Sequence, residues 1–157
     1  MEFTNYIFIF GAQYLYLLVG VIALVGFWKL PKENKKEIII FGAIALPAIY
    51  LVSKIGVWLY FDPRPFVVSH FTPLIPHAPD NGFPSDHVLL ISAIASIIYP
   101  FSKKASVMIW AVTVLVSISR VYVGIHHPVD VVGSVIISVV VSVLVYFIFN
   151  RFIKKLN

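Results

Sequence analysis

An all-α membrane protein, folded as one domain over 1–157 into a bundle of about five spanning helices, is the fold class the sequence predicts. Three observations predict it. Hydrophobic residues make up 60% and charged residues 12% of the 157 residues, and the mean hydropathy is +0.95, too apolar for the surface of a soluble domain. The apolar residues come in runs long enough to cross a bilayer. Nearly all the charges lie between those runs and not within them, as the cost of a charge in hydrocarbon demands.

The first run, Tyr6 to Trp28, has 23 residues without a charge, enough to cross roughly 30 Å of hydrocarbon at about 1.5 Å per residue. It reads as a retained span and not as a secretory signal, because Glu2 and no basic residue precede it and lysines follow it. The segment KLPKENKKE, Lys29 to Glu37, is the turn to a second span, Ile38 to Phe61, which is uncharged except for Lys54. Ser85 to Phe101 forms a short third span that begins in the interface. Ser102, Lys103 and Lys104 make the next turn, Ala105 to about Arg120 returns, and Val131 to Phe149 is the last span. The Val and Ile content of the last two spans favours strands in isolation, but run length and charge placement override that preference. Small residues repeat at i, i+4 as Ser92 and Ser96, and as Ser134, Ser138 and Ser142, a pattern that lets helices approach closely within a chain or between chains.

Five crossings make the orientation legible. Placing Lys29, Lys32, Lys35, Lys36, Lys103, Lys104, Arg151, Lys154 and Lys155 on the cytoplasmic side of the plasma membrane collects nine of the 12 basic residues there, as the positive-inside bias favours. The N-terminus and the connections Asp62 to Pro84 and Arg120 to Pro128 then lie outside, and all five histidines fall in or beside those connections. The net charge of +5 does not point to nucleic acid, because the cations form no basic face interleaved with aromatics. The absence of cysteine excludes a disulfide framework, a thiol nucleophile and thiolate metal ligands.

Three basic residues, Lys54, Arg64 and Arg120, remain on the outer side, where they either snorkel or bind an anion. Pro63 and Pro65 stiffen the backbone around Arg64, which suits a guanidinium fork held ready for two phosphoryl oxygens. Ser85 stands at a helix start, where its hydroxyl either caps the helix or helps the free N–H groups bind an anion, and His87 follows. Asp130 lies four residues after His126, a spacing that lets the carboxylate accept from one ring nitrogen and leave the other bare toward a substrate. Pro128 prefers the first helical position, so this pairing depends on a turn. The doublet His126-His127 raises a zinc alternative, but no second ligand set at suitable spacing accompanies it. No metal and no cofactor is therefore expected, and His127 is given a structural or gating role.

Arg64-Pro65, then PSDH at Pro84 to His87, then Ser119-Arg120 followed by five residues, His126, three residues and Asp130, together resemble the type 2 phosphatidic acid phosphatase superfamily, which also contains vanadium haloperoxidases. The resemblance runs from the second span through the fifth. It implies a metal-independent phosphatase in which His126 attacks phosphorus and becomes phosphohistidine, Asp130 orients it, and His87 protonates the leaving oxygen. Arg64, Arg120 and Ser85 would hold the transferring phosphoryl group. Val57 stands where the family usually has lysine, and Lys54, one turn earlier, either replaces it or snorkels. Asp86 stands where many relatives have glycine, and is expected to face Arg64 or Arg120 or to act on specificity. The PSDH form is similar to that of members acting on undecaprenyl diphosphate, which makes hydrolysis of that lipid to undecaprenyl phosphate the expected reaction. Phosphatidic acid or phosphatidylglycerophosphate is the alternative substrate, and a noncatalytic lipid-phosphate binding or transport protein is the alternative class.

Overall fold

The computed structural model describes residues 2–153, and all the named elements are helical: α1 Phe3–Gln13, α2 Leu17–Trp28, α3 Lys32–Leu59, α4 Pro65–Val68, α5 Asp86–Ile98, α6 Lys103–Tyr122 and α7 Pro128–Ile148, closed by a π-helical turn Phe149–Ile153. Lys154 and Lys155, two of the cations used to orient the chain, lie outside the described residues.

The chain is an all-α membrane helical bundle, and of the about five spans expected, three to four are clear among the described residues. Among the described residues three helices are long and apolar enough to cross a membrane: Lys32–Leu59, Lys103–Tyr122 and the continuous run Pro128–Phe152. A fourth span results if α1 and α2, bent by 50° at their junction, count as one. The segment read as a third span yields only the 13 residues of α5, about 20 Å of helix against roughly 30 Å of hydrocarbon. Pro84 precedes it and Pro100 follows its C-cap Tyr99, positions where proline commonly bounds a helix.

What α5 lacks in length it makes up in burial. Val88, Leu89, Ile91, Ala93, Ala95, Ile97 and Ile98 are all buried, with Val88, Ile91 and Ala95 in the main core beside Val19 of α2, Ile109, Val112 and Val116 of α6, and Val131 of α7. The serine stripes form its seam with α7. Ser92 Oγ donates to Ser138 Oγ at 2.9 Å, and Ser138 Oγ donates to the Leu89 carbonyl at 2.9 Å. Ser92 and Ser138 of the stripes thus join two helices of one chain, where small side chains let the backbones approach closely. The outer faces are apolar instead: Val107, Leu115 and Ile118 of α6 and Ile136, Leu144 and Phe147 of α7 are all exposed, as contact with lipid requires.

The bundle has two chemically distinct ends. Lys29, Leu30 and Pro31 of one turn and Phe101, Ser102 and Lys104 of another line a single cleft, so the two basic turns lie together. At the opposite end the starts of α5 and α7 are joined: Ser134 Oγ donates to the carbonyls of Ser85 at 3.1 Å and Asp130 at 2.7 Å, and the Ser85 N–H donates to the Asp130 carbonyl at 3.4 Å. That junction carries the polar residues described next.

Candidate active site

Helix α7 begins at Pro128, so His126 lies in the turn before it and its pairing with Asp130 is made through that turn, as the proline foretold. Asp130 is fully buried. Its Oδ2 accepts from the His127 backbone N–H at 2.8 Å and lies 3.2 Å from His126 Nδ1. The other imidazole nitrogen, Nε2, lies 3.5 Å from Arg64 Nη1 and 3.3 Å from Arg120 Nη2. A guanidinium can only donate, so Nε2 is the bare nitrogen and Nδ1 carries the proton given to Asp130. Two cations thus flank one unprotonated ring nitrogen. Burial, followed by the two guanidinium charges, holds the His126 imidazole below its ordinary value against the opposing pull of Asp130. It is therefore neutral at pH 7.

Both arginines are buried, Arg64 to 5% and Arg120 to 4% exposure, and each is locked by protein acceptors. Arg64 leaves the chain between two prolines and donates from Nη1 to the Ile125 carbonyl at 2.8 Å and from Nε to Asp80 at 2.6 Å. Arg120 sits in the last turn of α6 and donates from Nη1 to the Ala12 carbonyl at 3.1 Å. The loop carrying Arg64 is organised by Asn81, whose side-chain oxygen accepts from the N–H groups of Asp62 at 2.9 Å and Phe83 at 3.0 Å, while its amide donates to the Tyr60 carbonyl at 3.0 Å. Gly82 beside it has no room for a side chain, since a Cβ would stand 2.8 Å from Asp130 Oδ2 and 3.2 Å from the Asp62 carbonyl.

These groups face a cavity of about 360 Å³ lined by Lys54, Val57, Arg64, His77, Asp80, Asn81, Phe83, Pro84, Asp86, His87, Arg120 and His126. The structure therefore brings His126, His87, Arg64, Arg120, Lys54 and Asp86 to one space, with Asp130 behind His126. Ser85 stands apart. It occupies the N-cap position of α5 but makes no side-chain cap bond, and its hydroxyl is buried without a partner among the described residues. Asp86 lines the cavity together with both arginines, as expected, while the carboxylate bonded to Arg64 is Asp80. Burial would raise the Asp80 carboxyl, but the Arg64 bond and charge hold it below the usual range. Lys54 is exposed, with its ammonium 4.9 Å from the centre of the Tyr50 ring, the posture of a cation at an interface.

Three residues here escaped sequence reading. Asp80 and Asn81 lie in a proline-rich loop with no local pattern to mark them. His77 lies with its ring centre 6.3 Å from that of His126, and burial, then the Arg64 charge, hold it below its ordinary value. His127 turns away from the cavity, its Nδ1 3.0 Å from Asp62 Oδ2. Asp62, His127 and Asp130 place one potential metal-ligating atom each within 4.8 Å of one another, a grouping not foreseen from their spacing. In the structure these atoms are engaged with one another and with His126. The Asp62 carboxyl is raised by burial and by the neighbouring Asp130, against the lowering effect of His127.

The profile of the PAP2 superfamily matches residues 13–154. The chain belongs to that superfamily. It is 31% identical over 146 residues to the undecaprenyl-diphosphatase BcrC of Bacillus subtilis, covering 93% of this chain and 73% of the relative. It is 29% identical over 143 residues to the bacitracin transport permease protein BcrC of Bacillus licheniformis, covering 90% and 70%. In fold it is similar to the crystal structure of a transmembrane PAP2-type phosphatidylglycerolphosphate phosphatase from Bacillus subtilis, with a TM-score of 0.61 at 22% identity over 97% of this chain and 79% of that one. The protein is thus an integral membrane member of a lipid-phosphatase family, related to its undecaprenyl-diphosphatase members.

Proposed function

We propose that the protein hydrolyses undecaprenyl diphosphate to undecaprenyl phosphate and inorganic phosphate at the outer face of the plasma membrane, without a metal, through a phosphohistidine on His126. The observation that carries the chemistry is the bare Nε2 of a buried, neutral imidazole with one guanidinium on either side. A nucleophile flanked by fixed positive charge suits a phosphoryl group, whose transfer is catalysed chiefly by positioning and by stabilising charge on the nonbridging oxygens.

In the first step the Nε2 lone pair forms a bond to the terminal phosphorus and the anhydride P–O bond breaks. The departing oxygen belongs to the lipid monophosphate and receives a proton from His87. Burial and the Arg120 charge lower the His87 imidazole to about 4, so it takes up this proton only when the negative charge of the substrate is beside it. Asp130 holds Nδ1–H, so positive charge on the imidazole is balanced where it forms. In the second step a water oxygen attacks the phosphohistidine, its proton passes to His87, the P–N bond breaks and inorganic phosphate leaves. Arg64 and Arg120, held in place by the Ile125 and Ala12 carbonyls, donate from the N–H groups beside Nε2 to the phosphoryl oxygens, and Lys54 supplies a further donor. Asp86 at the cavity edge acts on substrate choice by repelling or orienting the anion.

The diphosphate substrate is supported by the relatives named undecaprenyl-diphosphatase. The outward site is supported by the basic turns gathered at the opposite end of the bundle. Purified protein should release phosphate from undecaprenyl diphosphate with chelator present, faster than from phosphatidic acid or phosphatidylglycerophosphate. A higher kcat/KM on a glycerophospholipid would overturn the substrate, strict metal dependence would overturn the mechanism, and lipid binding without turnover would favour a transport or binding protein.

A further inference from the structure

The first span was read as one uninterrupted helix, and in the structure it breaks beside the cavity. The ladder of α1 runs as far as the Tyr14 N–H, which donates to the Phe10 carbonyl at 2.9 Å. The Ala12 carbonyl would next accept from the Tyr16 N–H in a continuous helix. It accepts instead from Arg120 Nη1 at 3.1 Å, and bonds of the tighter i, i+3 kind, such as Val19 N–H to Tyr16 O at 3.0 Å, start the second half. A side chain inserted into the ladder is a known cause of a kink, and it accounts for a bend in a stretch that has no proline.

The two sides of the break touch two different site residues. Gly11 lets α1 approach α6: a Cβ on it would collide with the Ser119 side chain, next to Arg120. Beyond the break the ring of Tyr16 meets His87 edge to face, with centres 4.7 Å apart and planes at 86°. Ala12, Gln13 and Tyr14 then line a second opening with His77, His87 and Arg120.

We propose that the α1–α2 break is a positioning element of the active site, in which the Ala12 carbonyl fixes the Arg120 guanidinium and the Tyr16 ring fixes His87. The proposal rests on the phosphohistidine reading above. With Nη1 held by Ala12, the guanidinium keeps Nη2 against His126 Nε2 at 3.3 Å, and rotating it would lose one contact or the other. His87 must present a nitrogen to the leaving oxygen, and the ring–ring contact restricts its side-chain torsions without consuming a proton site. Neither Ala12 nor Tyr16 touches the reacting atoms, so both act through the residue they hold.

The test uses the full chain in detergent and a series of phosphate monoesters from aryl to alkyl. A good leaving group departs unprotonated and a poor one needs the acid, so His87→Ala should lose far more on the alkyl esters. Tyr16→Leu should show the same slope in weaker form, about tenfold on alkyl and under about threefold on aryl esters, and Tyr16→Phe should behave as wild type. Gly11→Ala should weaken inhibition by inorganic phosphate by about tenfold, with the leaving-group series unchanged, and Gly11→Ala combined with Ser119→Gly should restore it. A flat series for Tyr16→Leu beside a steep one for His87→Ala would overturn this inference alone. A flat series for His87→Ala would remove His87 as the acid and the reading beneath the proposal with it. Uniform losses that follow a lowered melting temperature would reassign Tyr16 and Gly11 to folding.

Discussion

The two ends of the bundle use cations in different ways. At one end Lys29 and Lys104 are exposed beside a cleft, with no ion pair among the described residues to fix their direction. At the other Arg64 and Arg120 are almost wholly buried, and backbone carbonyls from Ile125 and Ala12 dictate where each guanidinium points. Charges of the first kind act by their number, through the field they present to a membrane. Charges of the second kind act by position, because a fixed donor needs no reorganisation when negative charge develops.

The comparison can be broken at the fixed end first. His126→Ala should lower turnover at least about 10⁴-fold, and radiolabel from a terminal-phosphate-labelled substrate should no longer appear on acid-quenched protein. Arg120→Lys and Arg64→Lys, which keep the charge and remove the fork, should each cost about 10²-fold to 10³-fold in kcat. If lysine served as well as arginine, position would not matter and the contrast would fail.

Asp130→Asn should cost about tenfold to 100-fold, and its pH profile carries a sign. The proposed mechanism needs neutral His126, whose imidazole lies below its ordinary value, so the acid limb of kcat/KM should fall below pH 6.5. Asp130 is the influence that raises that imidazole. Its neutralisation should therefore move the limb to still lower pH while lowering the plateau. An upward shift would assign the limb to another group. Asn81→Ala should give a smaller loss, about tenfold, seen mainly in KM if the loop only presents Arg64. Lys103→Gln with Lys104→Gln should leave turnover in detergent unchanged and alter only the fraction of chains inserted in each orientation, measured by protease accessibility in vesicles.

The grouping of the candidate residues was largely legible because much of their pattern is local in sequence. His126 and Asp130 sit four apart, Arg64 is framed by prolines, and His87 opens a helix, so residue type and spacing sufficed. What was not legible depends on distant partners. The Arg120 bond to Ala12 joins residues 108 apart, and without it Tyr6 to Trp28 reads as one smooth span. Asp80 became the partner of Arg64 across 16 residues of irregular chain, where periodicity carries no information. Ser85 had the right residue type for a cap but packs with its hydroxyl unpartnered, since composition says which bonds a group can make and not which one the packing allows. The spans failed at α5 for a similar reason. Hydropathy continues through Tyr99, Pro100 and Phe101 after the helix has stopped.

The joining of α5 to α7 also fixes the level of the candidate site within the bundle. The N-terminal end of α5, beside the cavity, is bonded to the start of the spanning helix α7 through Ser85, Asp130 and Ser134, so the shortfall of a helix of about 20 Å falls at its other end. The space above is taken by the proline-rich loop, pinned by the Leu74 N–H to the Val123 carbonyl at 3.0 Å and by Ile75 packed with Ala12, Val123 and Ile125. The candidate site then lies level with the start of α7, beneath irregular chain. A lipid whose tail stays in the bilayer would present its phosphate at that level without leaving its leaflet.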